Sequence, residues 1–451
     1  MNIQKENSNT KKGFKRKTVI ISFIYAAAFA VLSNSYGAVW GEWTSFTVCV
    51  LIFAFLNLAA GMFSGGIGSF RLKICYHGGI LLTSLVTSAV FSFLFQIIYG
   101  IIVWEWKEFL FSVLFCFVAH AIIFWNGIFC VYIFSLQLGI KHRILGIVFG
   151  LVPFINIIML RRIIKTVFEE TVFENEKNKL NQKRKEEQIC KTKYPILMIH
   201  GVFFRDSKYF NYWGRIPKEL KKNGATIYYG NHQSALSIPE SASELAKRIE
   251  TLAKTTGADK FNIIAHSKGG LDCRYAVNNY NIAPYVASIT TVNTPHKGCQ
   301  FAEYLLNNLS ADTKNAVASK YDKTLKKLGD ESPDFLAAVD DLTASASFDD
   351  EKEKFQGIFC QSVGSVLKKA SGGKFPLNFS YFLVKHFDGK NDGLVSEHSF
   401  PWGEKYTLLA PKGKNGISHG DMIDLHRINV EDFDVREFYV QLVKDLKDRG
   451  L

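Results

Sequence analysis

The chain of 451 residues is long enough for two or more domains, and 54 Lys and Arg against 41 Asp and Glu give it a formal charge of +13. At 48% hydrophobic and 14% aromatic it is rich for a soluble protein. The basic excess does not read as nucleic-acid binding: roughly +11 of it precedes Tyr194, around apolar blocks, and no stripe of Lys and Arg interleaves with aromatics in the polar half.

The first blocks are "TVIISFIYAAAFAVL", "FTVCVLIFAFLNLAAGMF", "GGILLTSLVTSAVFSFLFQIIYGIIVW" and "FLFSVLFCFVAHAIIFWNGIFCVYIF". Each approaches or exceeds the ~20 residues that cross a bilayer core, which predicts four spanning helices. Such a succession argues against a single cleaved signal peptide, although "KKGFKRK" precedes the first block. A fifth block, "ILGIVFGLVPFINIIML", is shorter and carries Pro153, so spanning, re-entrant and interfacial placements stay open. Residues 1–164 are therefore expected to form a membrane domain of four or five hydrophobic segments. From 165 to 193 the charges are of both signs and Pro and Gly are absent, the composition of a solvated helical stalk.

Residues 194–451 change pattern. Short β-branched runs, "YPILMIH", "GATIYYGN", "KFNIIAHS", "VASITTVNT", "YFLVKHFD" and "KYTLLA", alternate with helical stretches and predict a mostly parallel sheet flanked by helices. The fold class expected is an α-helical transmembrane bundle followed by an α/β domain. The eight cysteines are scattered without C-x-x-C or His-paired spacing, so structural zinc is not expected.

"KFNIIAHSKGGLDCRY" joins a strand to a helix through a serine flanked at two residues by Ala265 and Gly269. This matches G-x-S-x-G with Ala first, a turn that pushes the serine hydroxyl clear of the sheet, and makes Ser267 the candidate nucleophile. His266 is expected to pack within the turn. A serine nucleophile needs an imidazole, a carboxylate and backbone donors for an oxyanion. With the order Ser, acid, His, the acids considered are Asp272, Asp388, Asp392, Glu397 and Glu404; Asp392 in "GKNDGLVS" is favoured and Asp388 is second. Among His296, His386, His398, His419 and His426, the choice is His419 in "GISHGDMIDL", ahead of a terminal helix, with His296 structural. The turn at His200-Gly201 offers the N–H of Val202 as one oxyanion donor, and Lys268 offers the second.

These residues carry a resemblance. "YPILMIHG", "GADKFNIIAHSKGGLDCRY", "SITTVNTPHKGCQFAEY", "NDGLVS" and "SHGDMID" resemble, in order and spacing, the secreted bacterial triacylglycerol lipases that need a dedicated foldase. The resemblance implies an α/β-hydrolase fold, a triad of Ser267, Asp392 and His419, an oxyanion hole at Val202 and Lys268, and a helical lid between about 303 and 347. Asp421 matches one calcium aspartate of that family, but Leu425 stands where a side-chain oxygen belongs and a second aspartate is missing; no cofactor is expected, and Asp421 is the single weak metal candidate. Phe203, Phe204, Tyr209, Phe210, Tyr212 and Trp213 suit an acyl-chain pocket, with half of them expected in the core.

The activity expected is hydrolysis of lipid acyl esters at a membrane, through an acyl-enzyme. Two alternatives stand beside it: an acyl-thioesterase or lipid-anchor deacylase with the same triad, and a non-catalytic membrane receptor or scaffold with a relic hydrolase domain. The expected location is a multi-pass position in the cell membrane, the hydrolase domain leaning cytoplasmic by the distribution of Lys and Arg, with an extracellular placement open. The partners expected are the bilayer and an acyl ester substrate, with no nucleic acid.

Overall fold

The computed structural model describes residues 2–451 apart from 40, 60, 63–65, 104, 151, 153, 203–210, 328, 329, 344 and 347. The chain divides into two compact units, one ending at Lys183 and one spanning Arg184–Leu451.

The first unit is helical: α1 (Asn2–Ser33), α2 (Ser35–Ala38), α3 (Trp43–Ala59), α4 (Phe70–Val103), α5 (Trp106–Phe134), α6 (Gly139–Phe149) and α7 (Ile155–Lys183). Among the described residues three helices are long and apolar enough to cross a membrane, Gly13–Ser33 within α1, α4 and α5. The second expected span is α3, an apolar helix with 17 described residues. Among the described residues the four expected spans are therefore three full-length helices and a shorter one of about 26 Å, counting 1.5 Å per residue. Phe29, Phe53, Tyr76, Ile80 and Ile123 form the core among α1, α3, α4 and α5. The pair α4 and α5 approaches closely because Gly78 has no side chain; a Cβ there would lie 2.9 Å from the Gly127 carbonyl oxygen.

The fifth apolar block is divided between α6 and α7, and Pro153 lies outside the described residues. The expected stalk over 165–193 is not solvated as a whole. Val167, Glu170, Thr171 and Asn175 on α7 are buried, and Val167 joins Cys75, Leu82 and Val131 in a second cluster. Glu170 pairs with Arg71 Nη1 at 2.6 Å and accepts from Ser135 Oγ at 2.6 Å and from the Leu136 and Gln137 amides. Beyond the break between the units, Ile189 and Cys190 belong to the core of the second unit.

In the second unit six parallel strands lie in the order β2-β1-β3-β4-β5-β6: β1 (Ile196–Ile199), β2 (Ile227–Tyr229), β3 (Phe261–His266), β4 (Val286–Val292), β5 (Phe359–Ser365) and β6 (Lys405–Leu409). The helices are α8 (Ile216–Lys222), α9 (Ile238–Thr256), α10 (Lys268–Asn279), α11 (Gln300–Asn308), α12 (Ala311–Lys327), α13 (Phe335–Asp340), α14 (Leu377–Asp388) and α15 (Val435–Asp448). Because strand side chains alternate, Ile196 and Met198 pack with Leu220, Tyr439 and Val443 on the α8 and α15 face, whereas Leu197 and Ile199 pack with Leu245, Ile249 and Val277 on the α9 and α10 face. Burial on both faces explains why these strands read as continuous apolar runs. Helix α9 starts at a capping box, Ser237 with Glu240, and stops at Gly257 in the left-handed conformation.

This is the α/β-hydrolase fold expected, with one strand misplaced in the sequence reading. "YFLVKHFD" is not a strand but the end of α14, whose buried residues Tyr381, Val384 and Asp388 recur at helical spacing. The fifth strand is "FCQSVGS", where Gln361, Ser362 and Gly364 interrupt the apolar pattern. Helices α11 to α13 occupy the stretch in which a lid is expected.

Candidate active site

Ser267 sits between β3 and α10 at φ 56° and ψ −132°, a strained conformation for a side-chain-bearing residue. The turn is held by its own amide, which donates to the Val292 carbonyl at 2.9 Å, and by Thr294 Oγ1, which donates to the Ser267 carbonyl at 2.8 Å. Gly269 must be small because a Cβ there would come within 2.3 Å of the His200 carbonyl oxygen, just beyond β1. Gly201 also lies close, since its Cβ would meet that of Ser267 at 2.8 Å. The backbone after β1, carrying Val202, therefore flanks Ser267 on one side. Lys268 begins α10 on the other, where first-turn N–H groups have no intrahelical acceptor and favour negative charge.

Asp392 and His419, 27 residues apart, come together: His419 Nδ1 lies 2.7 Å from Asp392 Oδ2. A carboxylate only accepts, so Nδ1 carries the proton and Nε2 is left as the base. Asp392 is fully buried and also accepts from Asn293 Nδ2 at 2.6 Å and, on Oδ1, from the Leu394 and Val395 amides at 2.9 and 2.8 Å. The His419 ring packs on that of His266, the residue before Ser267, with centroids 4.5 Å apart.

The other candidates go elsewhere. Asp388 accepts from the Gln300 and Phe301 amides at the start of α11. Glu397 lies near Lys390, and Glu404 approaches the Cys360 amide. His386, His398 and His426 are exposed. His296 is structural: Arg274 Nη1 donates to its Nδ1 at 3.0 Å, so its Nε2 donates to Thr291 Oγ1 at 2.9 Å, and burial beside Arg274 keeps the ring neutral by pushing its pKa well down. Burial does the same to His266, whose Nδ1 lies 2.7 Å from the Tyr212 hydroxyl. Tyr212 and Trp213 are buried core residues and not a pocket mouth; Phe203, Phe204, Tyr209 and Phe210 lie outside the described residues.

Two features escaped the sequence. One is Asn293, held at φ 48° so that its amide reaches both Asp392 and Ser365 Oγ; Asn tolerates this region better than most residues, a signal available in "VNTP". The other is a buried charge network under the elbow. Lys268 Nζ contacts Asp272 Oδ1 at 2.7 Å and Ser241 Oγ at 2.8 Å, and Asp272 Oδ2 lies 3.4 Å from His232 Nε2. His232 stacks on His200 at 4.2 Å.

Asp421, the weak metal candidate, is engaged within its own loop. Its carboxylate accepts from the Ser418 amide at 2.9 Å and from Ser418 Oγ at 2.7 Å, burial raises its pKa, and Leu425 packs into the apolar core. Among the described residues no group of three or more His, Cys, Asp or Glu is placed to hold a metal. Hydrolysis by the detergent-solubilised protein is accordingly expected to survive EGTA. A loss restored specifically by Ca²⁺ would show ligands around Asp421 that this geometry lacks.

Residues 195–332 match the family model for palmitoyl protein thioesterase. A triacylglycerol lipase of Pseudarthrobacter phenanthrenivorans is 35% identical over 127 residues, 27% of this chain and 39% of that protein. Triacylglycerol lipase 2 of Saccharomyces cerevisiae is 27% identical over 280 residues, 54% of this chain and 77% of that protein. A crystal structure of a Bacillus licheniformis lipase in mature form superposes with a TM-score of 0.42 and 21% identity, over 56% of this chain and 92% of that one. The chain spans 39% of the length of the Pseudarthrobacter relative and 35% of that of a similar lipase from Burkholderia plantarii. The second unit is a lipase-like α/β-hydrolase domain, and it follows apolar helices that fit a membrane region.

Proposed function

We propose that this protein is a membrane-anchored serine hydrolase of lipid acyl esters. The observation that carries the reading is the buried Asp392–His419 pair at 2.7 Å, lying against the turn that holds Ser267 in a strained conformation. Ser267 Oγ attacks the ester carbonyl as His419 Nε2 takes its proton, and the developing oxyanion is received by the Val202 and Lys268 amides. Collapse expels the alcohol, protonated by His419, and leaves an acyl-serine; water, deprotonated by His419, then releases the fatty acid and restores the serine. Helices α11 to α13 serve as the lid. No cofactor enters any step.

The match of residues 195–332 to the palmitoyl protein thioesterase model supports a second reading, acyl thioester cleavage at the same site. Fluorophosphonate labelling of wild type but not of Ser267→Ala, with oxyester and thioester substrates of one chain length assayed side by side, tests both. Absence of labelling would return the protein to the relic reading, and faster thioester turnover would favour the second.

We place the hydrolase unit in the cytoplasm. If α3 crosses together with α1, α4 and α5, the chain returns to the side of its basic N-terminal segment, with Arg71, Lys73, Lys141 and Arg143 on that side and Glu42 and Glu105 on the other. The division of the fifth block into α6 and α7 suits an interfacial bend. In a background without native cysteines, Lys185→Cys is expected to resist an impermeant maleimide on intact cells and to react after lysis. Reaction without lysis would move the unit outside.

A further inference from the structure

The second unit presents a surface that the hydrolytic reading leaves unexplained. Helix α14 buries Tyr381 and Val384 on one side, while Phe379 and Phe382 on the other are 69% and 66% exposed, and Phe375 just before the helix is 81% exposed. Leu383 is also exposed. Aromatic side chains at this spacing form one apolar stripe, and a contiguous exposed stripe of this kind marks an interaction surface.

The charge around it selects the partner. Lys368, Lys369, Lys374, Lys385 and Lys390 are all exposed. Between Gln356 and Ser396 the sequence holds two acids, Asp388 and Asp392, and both are buried with their carboxylates already engaged. The surface is thus aromatic and predominantly basic, with Glu397 beside Lys390 as the acid at its edge. A protein partner would be free to match the aromatics with any rim, whereas a bilayer with anionic headgroups asks for this combination: rings at the headgroup level and lysines beside them.

We propose that α14 and the segment before it dock on the surface of an anionic lipid bilayer. The helix is tied to the loop that carries Asp392: Asn391 Nδ2 donates to the Tyr381 carbonyl at 3.3 Å, and Ser380 Oγ donates to the Gly393 carbonyl. Its last turn packs on α11, with Phe387 against Tyr304 at 4.5 Å. Docking of α14 therefore sets the edge of the sheet bearing Asp392 and His419 against the lipid. An anchor elsewhere in the chain holds the unit near a membrane, and α14 determines which face it turns toward it.

The test uses the full chain without native cysteines, reconstituted in phosphatidylcholine vesicles containing 30% phosphatidylglycerol. An environment-sensitive fluorophore is attached to Phe382→Cys or, as reference, to Thr251→Cys on the exposed side of α9, and quenching by spin-labelled lipid is read. Position 382 is expected to be quenched at least fivefold more than position 251. Each lysine near an anionic surface strengthens association about fivefold, so Lys374→Gln with Lys385→Gln should weaken docking by roughly 25-fold, as should omission of phosphatidylglycerol in direction. All these positions are exposed, and an unchanged near-UV circular dichroism spectrum verifies the fold. Equal quenching at the two positions, quenching indifferent to lysines and lipid charge, or a crosslink between two copies through position 382 that replaces the quenching would each overturn the proposal. The readout is contact with lipid, so it stands or falls separately from hydrolysis.

Discussion

Asp392→Asn is expected to lower kcat/KM for an ester substrate by about 10⁴, while Asp388→Asn leaves it within a few-fold. The orientation of the new amide decides the outcome. Two backbone N–H groups, from Leu394 and Val395, converge on Oδ1 and require an acceptor there, so the Asn oxygen takes that place. Its NH₂ then faces His419 Nδ1 and Asn293 Nδ2. Nδ1 must accept, the ring proton moves to Nε2, and the imidazole can no longer take a proton from Ser267. Asp388, which serves the start of α11, has no such link to His419. Steady-state kinetics of the two variants, beside Ser267→Ala as the inactive reference, check this. A severe defect in Asp388→Asn with a mild one in Asp392→Asn would reverse the assignment of the acid.

The second large effect concerns stability. Lys268 and Asp272 are 1% exposed each, so Asp272→Leu leaves a buried ammonium group that donates to Ser241 Oγ but has lost its carboxylate at 2.7 Å. Breaking a buried ion pair from one side costs about 3–5 kcal/mol, which for a unit of this size lowers the melting temperature by roughly 10 °C. Removing both charges removes the desolvation penalty as well, so Lys268→Met combined with Asp272→Leu is expected to recover most of the loss. Thermal unfolding of the wild type, the single and the double variants measures the coupling. Equal destabilisation by single and double variants would mean that packing and not charge holds the elbow.

What the sequence discloses here is local chemistry, and what it conceals depends on partners distant along the chain. Ser267 stands in a turn whose small neighbours are visible in five residues, and the loops around Asp392 and His419 are marked by Gly and Asp. The stretch "YFLVKHFD" just before Asp392 nevertheless reads as a strand and is the end of α14, because a short apolar run satisfies both periods. The true neighbour, β5, hides behind Gln361, whose side chain is paired with Thr290 inside the sheet. Asn293 acts on a residue 99 positions away. The charges of both signs in α7 suggested solvent, but Glu170 is matched by Arg71 at a separation of 99 residues.

The same long separations govern how the second unit comes into being. Arg184 is clamped by both carboxylate oxygens of Glu437, 253 residues later, and Cys190 lies under the Val440 carbonyl on α15. The entry to β1 is thus sealed by the last helix. At the usual 5–20 residues per second, a ribosome needs roughly 15 to 50 s to pass from the end of the helical unit to the end of α15. During that interval the apolar helices can insert, while the sheet waits for contacts that close only at the end. Chaperone dependence of the newly made chain should therefore be confined to the second unit and persist until α15 emerges.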